Sequence, residues 1–353
     1  MVQQLIRAFR RVCTTTGLLA VALAGMLIVG TFSACQTSSG VGYVYDSRAL
    51  AQLASEPINQ RPWDFAENNG VVISTENYRI YTTLRDPLYQ RLLGRVLEAA
   101  HARAVANNPN GLIKGPLDCY VFGNRSQWEF YTNLRAGSNA PIYLQISAGG
   151  YCQEGVFAGY DIGREQTLSV VAHEAWHQYS WFAFKDRLPS WLEEGLATQN
   201  EAIDWEGATP RFKPEMNYRR WLALKQAIRE NRMWKLSELA STHAGRVIKL
   251  NQKHVDAYYS QLWSFVLFLQ HSPKYSKGLQ ELLADADSGT LAKSLAGTGV
   301  SPREVENFTE RWNTVAGPVY MKKYIAPDLN ALQREYEAWA RELTSAWPPK
   351  LSR

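Results

Sequence analysis

The chain is poor in several residue types that would point to a class of protein. Histidine is rare, with six in 353 residues, and cysteine numbers only four. No run of lysine and arginine is interleaved with aromatics, which argues against a nucleic-acid-binding surface. The two signs of charge are close to balance, 38 basic residues against 33 acidic. Residues 1–34 hold three of those basic residues and no acid, so the remainder carries 35 against 33, a net +2. The pI near 8.9 therefore partly reflects the first segment. No internal repeat is visible. Aromatics, by contrast, make up 12% of the chain and include 12 Trp, which argues against disorder. The length suffices for one large or two modest domains with a substantial core.

The scarcity of histidine gives weight to one stretch, Thr167 to Gln178, where two of the six stand four apart in H-E-x-x-H. Residues four apart on an α-helix lie one above the other on the same face. His173 and His177 can thus present two imidazoles to one Zn²⁺, with Glu174 beside them to hold a water. The plainer reading is a polar, solvated face. The flanks argue against it: Leu168, Ala172, Ala175, Tyr179 and Phe182 recur at spacings of three and four. Val170, Val171, Trp176 and Trp181 widen that surface until little solvated face remains. Polar groups in such a helix need partners, and a metal supplies one.

Downstream runs Trp191-Leu192-Glu193-Glu194-Gly195-Leu196-Ala197. H-E-x-x-H followed by W-L-x-E-G-x-A resembles the gluzincin metallopeptidases of the peptidase MA clan. The resemblance implies one Zn²⁺ per chain held by His173, His177 and Glu194, with Glu193 ranked second as the third ligand. It implies hydrolysis of a peptide or protein substrate by a zinc-activated water, with Glu174 as general base. It also implies a zincin-like α+β fold. A small mixed sheet with an edge strand precedes the active-site helix, and a mostly helical part follows. Val156, Phe157, Ala158, Gly159 and Tyr160 are then the expected substrate-binding edge, because an unpaired strand edge accepts a peptide backbone; the alternative is a plain structural strand. In the segment Asp256 to Val266, Tyr259 matches the tyrosine that donates to the oxyanion, with Tyr258 next and His254 after it. The spacing from His177 to Glu194 and the lack of a G-x-M-E-N motif imply a branch other than the aminopeptidases. Glu201, seven residues past Glu194, is expected two helical turns on and able to accept a ring N–H from a zinc-bound His.

The beginning of the chain reads as a targeting segment. Arg7, Arg10 and Arg11 precede an apolar run from Gly17 to Phe32. Ser33-Ala34-Cys35 resembles a bacterial lipobox, which implies lipidation of Cys35 and an exported protein anchored to a membrane of the cell envelope. An ordinary signal peptide or an uncleaved anchor would also move the body out of the cytoplasm. Cys119 and Cys152 then remain, and an oxidising compartment favours a disulfide between them over two buried free thiols.

The expected layout is a signal over 1–34, a tether over 35–70, an α/β part over 71–164 and a helical part over 165–353. Strands are expected at Val71 to Thr83, Leu117 to Phe122 and Val156 to Tyr160. Helices are expected from Pro87, capped by Asp86, and over Arg125 to Leu134, Leu192 to Ile203, Met216 to Arg232, His254 to His271 and Asp328 to Trp347. A capping box at Ser301 to Glu304 opens one more, and Asp204 to Pro214 reads as a loop. The rival to an enzyme is an envelope lipoprotein that keeps a peptidase fold for binding or scaffolding. The intact Glu174 counts against it, since a structural metal does not need that carboxylate.

Overall fold

The computed structural model describes residues 47–108, 111, 113–301, 310–349 and 351. The expected signal segment, Cys35 and the start of the helix expected from Ser301 lie outside the described residues. Among those residues no helix is long and apolar enough to cross a membrane.

The chain is α+β. Helix α1 (Ser47–Ser55) leads into strands β1 (Gln60–Phe65), β2 (Asn68–Ser74) and β3 (Tyr78–Thr82). Helix α2 (Pro87–Asn107), β4 (Leu117–Phe122), α3 (Arg125–Arg135), β5 (Gly150–Gln153) and β6 (Val156–Tyr160) follow. The six strands form one mixed sheet in the order β1-β2-β3-β4-β6-β5. β3, β4 and β6 run parallel, joined by the two helical crossovers, while the flanking pairs are antiparallel. Asp86 caps α2 as its position before Pro87 dictates, accepting from the amides of Leu88 and Tyr89.

The stretch Val71 to Thr83 is a hairpin rather than one strand. Asn77 turns it, held by Glu98 through both its backbone amide and its side chain at 2.8 and 2.7 Å. β1 escapes the sequence pattern because Pro62 and its charged neighbours suit an exposed edge strand.

Two expectations fail together at the other edge. Val156 to Tyr160 is not the edge: β6 lies between β4 and β5, and the unpaired side belongs to Gly150–Gln153. The cause is a two-residue turn. Glu154 and Gly155 both adopt positive φ, 53° and 71°, as the tight turns that join twisted antiparallel strands require. That hairpin also removes the disulfide. Cys119 on β4 and Cys152 on β5 both stand opposite Phe157 of β6, on its two sides. Two strand spacings are about 10 Å, whereas a disulfide needs Cα atoms within about 7 Å. Both are free thiols, and burial pushes both well above the ordinary thiol range.

Helix α4 (Arg164–Ala183) carries H-E-x-x-H and forms the seam of the molecule. Leu168, Val171, Ala172 and Ala175 pack in the core between α2 and the sheet. Trp176, Tyr179 and Ala183 enter a second core shared with the helices that follow. Burial all round its middle is why the helix lacks a polar stripe; Glu165 and Gln166 are exposed at its start, and Phe182 lies 47% exposed near its end, against expectation. Next come α5 (Ser190–Thr198), the hairpin β7 (Ile203–Glu206) and β8 (Thr209–Phe212), α6 (Tyr218–Arg229), α7 (Leu236–Ser241), α8 (Gln252–His271), α9 (Ser276–Ser288), α10 (Glu310–Tyr320) and α11 (Leu329–Leu343). The stretch read as a loop is thus mostly that hairpin, turned at Gly207 with φ 62°.

Candidate metal centre

The two histidines face α5. Gly195 lets α5 approach α8: a Cβ there would lie 2.4 Å from Val266 Cγ2 and 3.2 Å from the Leu262 carbonyl oxygen. This close approach sets Glu194 opposite the imidazoles. His173 Nε2 and His177 Nε2 are 3.2 Å apart. Glu194 Oε2 stands 3.4 Å from the first and 3.5 Å from the second. The three atoms form a nearly equilateral triangle, a group that could hold a metal ion.

The other nitrogen of each ring is engaged by a carboxylate. His173 Nδ1 lies 3.0 Å from Glu201 Oε1, and His177 Nδ1 lies 2.9 Å from Glu193 Oε1. With each Nδ1 turned to a carboxylate, both Nε2 atoms are turned toward Glu194. Glu193, ranked second as a ligand, thus orients His177 instead, and the Ser180 hydroxyl donates to the same carboxylate oxygen. Glu201 reaches His173 by a route other than the one expected. α5 ends at Thr198, and a turn through Gln199 and Asn200 brings Glu201 back.

Glu201 is itself held from behind. Arg220 donates to it twice, Nε to Oε2 at 2.7 Å and Nη2 to Oε1 at 2.6 Å, and Asn217 Nδ2 donates at 3.0 Å. Arg220 is thus turned inward, its side chain 13% exposed, and the sequence held a clue: two arginines in the first turn of a helix oppose the helix dipole.

The electrostatics favour a cation. Four carboxylates, Glu174, Glu193, Glu194 and Glu201, stand in the centre with a single guanidinium, so it draws in positive charge, as protons on the imidazoles or as a bound cation. Burial would raise Glu194, but His177 and His173 hold it far below the usual carboxylate range. Burial likewise opposes Glu201 ionisation, and Arg220 and His173 outweigh it. Burial would lower both histidines; Glu194 and Glu201 push His173 up to about 9, and Glu194 and Glu193 carry His177 well above its ordinary value. Glu174 is raised by burial, partly offset by both imidazoles.

The centre opens into a cleft of about 880 Å³. Gly149 and Gly150, at the start of β5, line it with His173, Glu174, Glu201 and Tyr259. The Tyr259 ring is 6.3 Å from the His173 ring, and Arg220 Cζ sits 5.2 Å from its centroid. Tyr258 points into the helical core against Trp234, and His254 is exposed and bonded to Asn251. Of the three residues considered for oxyanion contact, only Tyr259 lines the cleft.

The chain matches no protein-family model, and no curated protein or solved structure is significantly similar to it.

Proposed function

We propose that the chain is a zinc-dependent metallopeptidase of the gluzincin type, with a zincin-like arrangement of edge strand, H-E-x-x-H helix and glutamate helix. The observation that carries this reading is the triangle of His173, His177 and Glu194. A tetrahedral ion with bonds of about 2.0–2.1 Å has ligand-to-ligand edges of about 3.3–3.4 Å. The edges here are 3.2, 3.4 and 3.5 Å. The two carboxylates on the Nδ1 atoms match what a zinc-binding imidazole ordinarily has behind it.

Bound there, zinc would acidify a water and polarise a peptide carbonyl. Glu174, beside His173 on the open side of the helix and lining the cleft, takes the proton from the attacking water and delivers it to the departing amine. Its raised pKa suits a group that both accepts and returns a proton. Tyr259 donates a hydrogen bond to the oxygen that gains charge, and its phenol stays protonated because burial and Glu194 push it well above its ordinary value. Glu201 and Glu193 hold the two rings in register throughout. The free edge of β5, whose first residue Gly150 lines the cleft, offers backbone groups to an extended peptide. An exported, lipid-anchored form remains part of this reading on the strength of Arg7 to Cys35.

The test is metal content and turnover in the full chain. About one zinc per chain is expected in wild type and in Glu174→Gln, and much less in His177→Ala. Glu174→Gln is expected to lose peptide hydrolysis by roughly 10²- to 10⁴-fold. Wild-type chain that takes up no zinc on reconstitution sinks the proposal.

A further inference from the structure

Three cations line the cleft beside the metal centre: Lys213, Arg219 and Arg220. Lys213 is paired with Asp204 and Arg220 with Glu201. Arg219 makes no hydrogen bond or ion pair with any described residue; it only senses Arg220, Glu201 and Asp256 from a distance. Of the acids it senses, Glu201 is held by Arg220, and Asp256 accepts from Gln252 at 2.9 Å. Arg219 is exposed to the cleft.

Its position is unfavourable without a partner. Arg219 and Arg220 follow Tyr218 in the first turn of α6, where no acidic residue stands. The amide end of a helix is positive, so a cation there is repelled. Arg220 has Glu201 in direct contact to offset this, whereas Arg219 feels Glu201 and Asp256 only from a distance. A residue that breaks a local rule without compensation inside a cleft is a sign that the compensation comes from a ligand.

We propose that Arg219 docks a carboxylate of the peptide substrate, either its C-terminal carboxylate or an Asp or Glu side chain. This rests on the peptidase reading. A guanidinium presents a planar fork that matches a carboxylate in bidentate fashion. Glu165, Asp204 and Asp256 line the cleft along with the carboxylates of the centre, so a phosphate dianion or a polyanion would be repelled more strongly than one carboxylate.

The experiment uses the zinc-loaded full chain and one octapeptide sequence in three forms. The first has Glu placed in turn at each position and an amidated C-terminus. The second has Gln throughout at those positions and the amide. The third has Gln and a free C-terminus. Binding is read by tryptophan fluorescence in Glu174→Gln, and again with Arg219→Gln or Arg219→Lys added. Cleavage is read in the wild type. One acidic form is expected to bind roughly 10- to 100-fold tighter than the uncharged one. Arg219→Gln is expected to abolish that difference and Arg219→Lys to keep part of it. A preference for the free C-terminus identifies the terminal carboxylate as the ligand; a preference for Glu at one position identifies a side chain. Equal binding of all forms, or a preference that survives Arg219→Gln, overturns the assignment. Cleavage without acid preference overturns Arg219 docking alone. Acid-dependent binding without cleavage of any form overturns the peptidase reading and leaves the docking site standing.

Discussion

Arg220 grips Glu201 through two parallel hydrogen bonds of 2.6 and 2.7 Å, behind the histidine that Glu201 orients. The same guanidinium lies over the ring of Tyr259. One side chain on α6 thus ties His173 of α4 to Tyr259 of α8. Removing it leaves Glu201 buried with only His173 and Asn217 as partners.

Arg220→Ala is therefore expected to weaken zinc binding by roughly 10- to 100-fold, measured by competition with a chelator. Arg220→Lys should recover only part of this, because an ammonium cannot match both carboxylate oxygens at once. Wild-type affinity in both variants would show that Glu201 orients His173 without help.

Tyr259→Phe separates binding from chemistry. The ring packing against His173 and Arg220 survives, and only the hydroxyl goes. Zinc content is expected to be unchanged, while kcat falls by roughly 10²- to 10³-fold with little change in KM. Tyr258→Phe, in the core, should leave kcat near wild type. Equal effects of the two variants would remove Tyr259 from the mechanism.

Gly195→Ala tests how Glu194 is placed against the two imidazoles. The added methyl would meet Val266 on α8 at 2.4 Å, so α5 must move outward and carry Glu194 with it. The expected cost is about 1–3 kcal/mol of stability, seen as a lower melting temperature, together with weaker zinc binding. A variant with wild-type melting and full zinc content would mean that α5 and α8 have slack that their packing does not suggest.

The parts of the centre that share a helix were legible in the sequence, because helical period alone brings His173 and His177 to one face. Glu194 was legible through its motif. Glu193 stood in the same motif, but its task depends on which way α5 faces α4, and that is a tertiary fact. Arg220 lies 19 residues beyond Glu201 and joins it only because β7 and β8 fold back between them. The edge of the sheet was misplaced for a local reason. Glu154-Gly155 is a weaker hairpin signal than Asn-Gly, and Gly150 hides the strand before it. That one missed turn also produced the mistaken disulfide, since it puts a whole strand between the two cysteines.

The placement of β5 is open to a direct chemical check. With β6 between them, Cys119 and Cys152 should both remain thiols even after export or air oxidation. Mass spectrometry of an unreduced digest should therefore find no peptide linking the two. Reductant should leave the melting temperature unchanged, because no loop is closed by a covalent bond. Native alkylation should spare Cys119, which is fully buried, and unfolding should expose both to stoichiometric labelling. A linked peptide would require the strands carrying them to be neighbours. It would remove β6 from between them and shift the edge proposed to accept a peptide to a different strand.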